Sequence, residues 1–120
     1  MQKKKILVID DDELILAVLR DKLSGEGYEV ITATSGQSGL EKIETHSPDL
    51  IVTDVMLADI DGHKICRFVK QTKKLKTPVI IMTDKVEGAS PFKIFPSHPD
   101  AFTTKSNRGE SVIEEIKKLI

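Results

Sequence analysis

Five polar residues in this chain each follow directly behind an apolar run, and their types suggest one chemistry. Asp10 and Asp11 follow Ile6-Leu7-Val8-Ile9, and Asp54 closes Asp49-Leu50-Ile51-Val52-Thr53-Asp54. Thr83 ends Val79-Ile80-Ile81-Met82-Thr83, and Lys105 follows Ala101-Phe102-Thr103-Thr104. If the runs are neighbouring parallel strands, all five residues meet at one edge, outside the carboxyl ends of the strands, where open α/β sheets bind ligands. Three clustered carboxylates repel one another unless a cation joins them. An all-oxygen set favours a hard ion, Mg²⁺ or else Mn²⁺ or Ca²⁺, over zinc. A lysine and a hydroxyl beside such an ion make a pocket for a tetrahedral anion. The chemistry implied is phosphoryl transfer onto an aspartate, with metal and lysine neutralising the developing charge.

The elements that must position these residues are readable from periodicity. Lys5–Ile9 is a continuous β-branched run, as expected of a strand buried on both faces. Ile15, Val18, Leu19 and Leu23 then mark one face of a helix that ends at Ser24-Gly25-Glu26-Gly27. A second strand is predicted over Tyr28–Thr32, and a helix from Ser35-Gly36 that stops before Pro48. The third strand is Asp49–Asp54, followed by a helix opening at Asp61-Gly62 with Ile65, Phe68 and Val69 inward. The fourth strand is Thr77–Thr83, the fifth Ala101–Thr104, and Ser111–Ile120 is a closing helix. Strands alternating with helices predict an α/β fold built on a parallel sheet, with helices on both faces. Residues 84–100 contain Pro91, Pro96 and Pro99. Proline is tolerated in a first turn but costs ~3 kcal/mol in a helix interior. The helix in that stretch is therefore expected to be short or irregular, running no further than Ser90 to Phe95.

Composition narrows the classes. At 120 residues the chain is expected to be one domain, residues 1–120, with no linker or repeat. Cys66 is the only cysteine, which excludes an intramolecular disulfide and a cysteine-based zinc site. The apolar stretch near the N-terminus is too short for a secretion signal, and no run approaches the ~20 residues of a membrane span. A cytoplasmic protein with no membrane association is the expectation. The net charge of −1 carries no nucleic-acid footprint. Residues 1–60 hold 6 Lys/Arg against 12 Asp/Glu, and residues 61–120 hold 12 against 7. The basic residues are dispersed along helical stretches and are read as solvated helix faces.

The runs Ile6-Leu7-Val8-Ile9-Asp10-Asp11-Asp12-Glu13 and Asp49-Leu50-Ile51-Val52-Thr53-Asp54-Val55-Met56, with Asp61-Gly62, Thr83 and Lys105, resemble a response-regulator receiver domain of two-component signalling. The intervals of 43, 29 and 22 residues between Asp11, Asp54, Thr83 and Lys105 fit that family. The resemblance implies a doubly wound, flavodoxin-like sheet of order 2-1-3-4-5. It implies that Asp54 accepts a phosphoryl group from a sensor histidine kinase or phosphotransfer protein, in a Mg²⁺-dependent reaction. Asp11 would bind the metal directly and Asp10 largely through water, with Asp54 and the carbonyl of Met56 completing the set. Lys105 would pair with the phosphoryl group, Thr83 would swing its hydroxyl towards it, and Phe102 would move inward in step. Such a domain is a switch acting on a downstream protein, not an enzyme beyond its own phosphorylation and dephosphorylation. The alternative is a receiver-fold interaction module that has lost the switch. A phosphohydrolase of the haloacid-dehalogenase type would need an acid where Met56 stands.

The chain departs from the family's usual residues at Ala58, where proline is common, at Asp84, where a small residue is common, and at Ser106, where proline is common. Other features have plainer readings. Asp12 is read as solvent-facing or a helix N-cap, and Asp59-Ile60-Asp61 as a turn plus an N-cap rather than a metal motif. His46, His63 and His98 are read as surface residues, and Cys66 as a half-buried apolar residue.

Overall fold

The computed structural model describes residues 3–83, 99–105 and 109–120. Five strands form one parallel sheet: β1 (Lys5–Ile9), β2 (Glu29–Ala33), β3 (Leu50–Asp54), β4 (Val79–Thr83) and β5 (Ala101–Thr104). Their order is β2-β1-β3-β4-β5. Among the described residues four α-helices pack on the sheet: α1 (Glu13–Gly25), α2 (Gly36–His46), α3 (Gly62–Arg67) and α4 (Glu110–Leu119). The expected architecture and strand order are both present. The proline-divided stretch expected to hold a short helix falls in residues 84–98, outside the described residues, as do His98, Asp84 and Ser106.

The continuous apolar run of β1 is explained by what covers it. Ile6 and Val8 lie in a buried cluster with Ile15, Leu19 and Leu23 of α1 and Val112 and Ile116 of α4. Leu7 and Ile9 lie in a second cluster, with Ile43 of α2 and Ile65 and Cys66 of α3. Successive side chains of a strand point to opposite faces, so a strand with helices on both sides needs apolar residues at every position. β3 and β4 follow the same rule: Val52 and Ile80 join the first cluster, Ile51 and Ile81 the second. Fully burying each such side chain stabilises the fold by ~1.5–3 kcal/mol relative to exposure.

Most boundaries fall within a residue or two of expectation, and the differences have local causes. β4 begins at Val79 rather than Thr77, because Pro78 has no N–H for the ladder; its carbonyl still accepts the N–H of Ile51 at 3.0 Å. Asp49 does not extend β3. It exchanges bonds with Lys5, the Lys5 N–H donating to Asp49 Oδ2 at 2.7 Å and the Asp49 N–H to the Lys5 carbonyl at 2.8 Å. The third helix is less regular than its apolar spacing suggests. After Arg67 it widens into a π-turn over Phe68–Thr72, closed by the Lys73 N–H donating to the Phe68 carbonyl at 2.8 Å.

Two readings need correction. His63 is buried, not on the surface: it stands in the first turn of α3, next to Gly62, which lies against the backbone of Asp54 at the end of β3. Desolvation there pushes its imidazole pKa down and favours the neutral ring. Cys66 is fully rather than half buried. His46 is exposed, as expected, and bonds Thr45. Several basic residues of the second half pair with acids: Lys70 with Asp100, Lys73 with Glu44, and Lys117 with Glu26.

Candidate phosphoryl-acceptor site

The chain leaves β1 towards β2 on one side and later towards β3 on the other. The crevice this reversal opens lies at the carboxyl ends of β1 and β3. Asp10 follows Ile9 and is anchored by its own N–H, which donates to the Ala33 carbonyl at 3.0 Å. Its Oδ1 accepts the Asp12 N–H at 2.9 Å, which turns the chain into α1. Asp12 in turn caps that helix, its Oδ1 accepting the Leu14 N–H at 3.0 Å. The acidic run therefore divides by task. Asp10 is buried, Asp11 is exposed at the mouth, and Asp12 starts the helix.

Asp54, the last residue of β3, is also buried. One carboxylate oxygen each from Asp10, Asp11 and Asp54 lie within 4.8 Å of one another. Lys105 enters from the end of β5, its backbone N–H donating to the Thr83 carbonyl at 2.9 Å. Its ammonium stands 2.7 Å from Asp10 Oδ2 and 3.4 Å from Asp54 Oδ2. Burial raises the pKa of Asp54 from 3.8 to about 6, the neighbouring Asp10 adds to the rise, and Lys105 with the Met56 N–H opposes it. Asp10 is raised as well, chiefly by burial, against the pull of Lys105. Two buried acids share one cation, so the pocket has an excess of negative charge. That excess and the oxygen-only donor set suit a hard divalent cation.

The loop after β3 is held close to this pocket. The Gly62 N–H donates to the Val55 carbonyl at 2.9 Å, and Met56 pairs with Asp61 across the loop. Asp61 caps α3, its Oδ1 accepting the His63 N–H at 2.7 Å. Gly62 sits directly on the backbone of Asp54, and a Cβ there would overlap the Asp54 carbonyl oxygen. This close approach needs glycine, a requirement that sequence reading missed; the Asp-Gly pair after the third strand was its only signal. The Met56 side chain points outward, 73% exposed, while its N–H bonds the Asp54 carboxylate.

The structure thus brings Asp10, Asp11, Asp54 and Lys105 together and ties Thr83 to them through the Lys105 backbone. Phe102 lies opposite Ile81 in the sheet and packs, half-buried, against the cluster under α2 and α3. Asp61 caps the following helix, as the plainer reading expects, whereas Asp59 bonds the first amides of α2, which that reading did not foresee. Two surface hollows of about 280 and 300 Å³ flank α2, away from the acids. Among the described residues no helix is long and apolar enough to cross a membrane.

Comparison with known proteins agrees with this geometry. A family profile described as "Response regulator receiver domain" matches residues 6–117. The alkaline phosphatase synthesis transcriptional regulatory protein PhoP of Bacillus subtilis is 39% identical over 117 residues, which cover 98% of this chain and 48% of that protein. The transcriptional regulatory protein AfsQ1 of Streptomyces coelicolor is 34% identical, covering 96% of this chain and 50% of its own length. The chain thus spans about half the length of these curated relatives. A CheY-like response regulator receiver domain protein from Methanospirillum hungatei superposes with a TM-score of 0.85 at 30% identity, covering 98% of this chain and 94% of that one. By profile, by identity and by fold, the chain belongs to the response-regulator receiver family, the phosphorylation-controlled switch domains of two-component signalling.

Proposed function

We propose that residues 1–120 act as one receiver domain in which Asp54 accepts a phosphoryl group. The observation that carries this reading is the pairing of a buried, charge-excess carboxylate, Asp54, with the Lys105 ammonium 3.4 Å away. The phosphodonor is the phosphohistidine of a histidine kinase or phosphotransfer protein. An Asp54 oxygen attacks phosphorus, the P–N bond to the donor imidazole breaks, and the imidazole leaves with a proton. With its pKa near 6, Asp54 is mostly ionised at neutral pH, as a nucleophile must be. Its burial leaves it poorly solvated, which favours attack.

Mg²⁺ is the proposed cofactor, held by Asp10, Asp11, Asp54 and the Met56 carbonyl; bound there, it neutralises charge on the transferring phosphoryl oxygens. Lys105 is placed to follow the charge. Paired with Asp10 at 2.7 Å, it can shift its hydrogen bonds to phosphoryl oxygens once Asp54 carries them. Thr83 supplies the hydroxyl that responds, and Phe102 is the β5 residue that moves with it. Phosphorylation then shifts the balance between two arrangements of the domain and changes the surface offered to a downstream partner. These residues catalyse no reaction beyond their own phosphorylation and dephosphorylation, bind no nucleic acid directly, and work in the cytoplasm.

Acetyl phosphate with Mg²⁺ should add one phosphoryl group by intact mass, and Asp54→Asn should add none. An equal phosphoryl yield in Asp54→Asn would remove Asp54 from its role.

A further inference from the structure

We propose that Asp59 is a positioning residue for the metal site, clamping the loop of residues 55–61 to the N-terminus of α2; this rests on the function proposed above. Asp59 Oδ1 accepts the Gly36 N–H at 2.8 Å, and Oδ2 accepts the Gln37 N–H at 2.9 Å. Oδ1 also accepts the Ile60 N–H at 3.0 Å. Gly36 and Gln37 are the first two residues of α2, whose amides have no partner within the helix and carry its positive end. The helix has its own cap in Ser35, whose Oγ accepts the Ser38 N–H at 3.1 Å. Asp59 satisfies the two donors that Ser35 does not, from a loop 22 and 23 residues away. Those bonds hold the Asp59 carboxyl below the usual carboxylate range, the Gln37 and Gly36 amides foremost.

The adjoining side chain completes the clamp. Ile60 lies against Gly36 so closely that a Cβ at Gly36 would overlap Ile60 Cγ1. The loop is therefore fixed at two places. Its base closes onto α3 through the Val55–Gly62 bond and the Met56–Asp61 pairing. Its tip closes onto α2 through Asp59 and Ile60. Met56, which bonds Asp54 through its N–H and offers a metal ligand through its carbonyl, is held between these anchors. Position 58 is alanine, so no pyrrolidine ring limits the backbone there. The bonds of the neighbouring Asp59 supply that restraint instead. Without the tip anchor the Met56 carbonyl samples more orientations, and Mg²⁺ must order it on binding.

The test is calorimetric titration of Mg²⁺ into the whole chain, well below its melting temperature, for wild type, Asp59→Ala and Ser35→Ala. Ser35→Ala removes the other cap of the same helix without touching the loop, so it separates helix stability from loop position. Both variants should melt below wild type. Asp59→Ala should bind Mg²⁺ roughly tenfold more weakly, and Ser35→Ala should bind within twofold of wild type. Should Asp59→Ala not fold, Asp59→Asn makes the same comparison, because its amide NH₂ faces the Gln37 N–H and cannot accept from it. Wild-type affinity in the Asp59 variant, or an equal loss in Ser35→Ala, would overturn the proposal. No Mg²⁺ binding by wild type would instead overturn the functional reading, and this one with it.

Discussion

Replacing Asp54 by asparagine should stabilise the metal-free protein at neutral pH, although it removes the proposed phosphoryl acceptor. The native pKa is raised from 3.8 to about 6, with burial as the leading cause and Asp10 as the second. A carboxyl with a raised native pKa holds its proton more tightly in the fold than in the unfolded chain. It is therefore least costly below pH ~4, and its cost grows as pH rises towards 6. Above that the cost is complete: about two pKa units at 1.36 kcal/mol each, or ~3 kcal/mol. Asparagine is nearly isosteric and uncharged, and its amide oxygen can still accept the Met56 N–H. The attraction of Lys105 is already contained in that net shift; burying the amide NH₂ of asparagine in place of a carboxylate oxygen offsets part of the gain. A net stabilisation of ~1–2 kcal/mol is expected, or roughly 4–8 °C in a domain of this size. The assay is thermal unfolding by circular dichroism in EDTA at pH 7.5 and pH 4. At pH 4 the native wild-type carboxyl is itself protonated, so the advantage should nearly vanish. Saturating Mg²⁺ should reverse the order at pH 7.5, since a ligand at 100 times its Kd adds about 2.7 kcal/mol to the form that binds it. An asparagine variant that melts at or below wild type in EDTA at pH 7.5, or keeps its full advantage at pH 4, would refute this account.

Lys105→Met leaves Asp10 and Asp54 buried without their shared cation, and breaking a buried pair from one side costs about 3–5 kcal/mol. The loss should be largest at pH 7–8 and shrink as pH falls and both acids protonate; urea unfolding at pH 7.5 and 4.5 measures it, and equal losses at the two pH values would count against the shared-cation reading. Gly62→Ala drives a methyl group into the Asp54 carbonyl oxygen. It should cost ~2–3 kcal/mol and lower the phosphoryl yield by displacing the end of β3; an unchanged urea midpoint would show that the loop yields freely.

How much of this was legible in the sequence depends on whether a residue's role is set by its own neighbours or by distant ones. Ile6–Ile9 of β1 and Leu50–Val52 of β3 are apolar without a break, and only a sheet covered on both faces, here by α1 and α4 and by α2 and α3, makes that pattern stable. Fold class therefore followed from local composition, and with it the edge where Asp10, Asp54 and Lys105 meet. Asp12 and Asp61 were readable as caps for the same reason, since each bonds an amide two residues on. The division between Asp10 and Asp11 was less accessible. Adjacent residues of one type differ only in which way the chain turns after Ile9, and the Asp10–Asp12 bond that sets the turn leaves no periodic trace. His63 was misread because a helix's first turn has too few residues to show which side faces in. Gly62 and Asp59 lie further beyond local reading. The partner of Gly62 is a backbone carbonyl eight positions back, and those of Asp59 are amides 22 and 23 positions back; neither spacing matches a helix or a strand. Groups that carry charge in the pocket sit at the carboxyl ends of regular strands, and the apolar runs before them make them conspicuous. The groups that hold the pocket's loop in place act across the fold, and they become visible only when the helices that flank the sheet are set beside the loop they restrain.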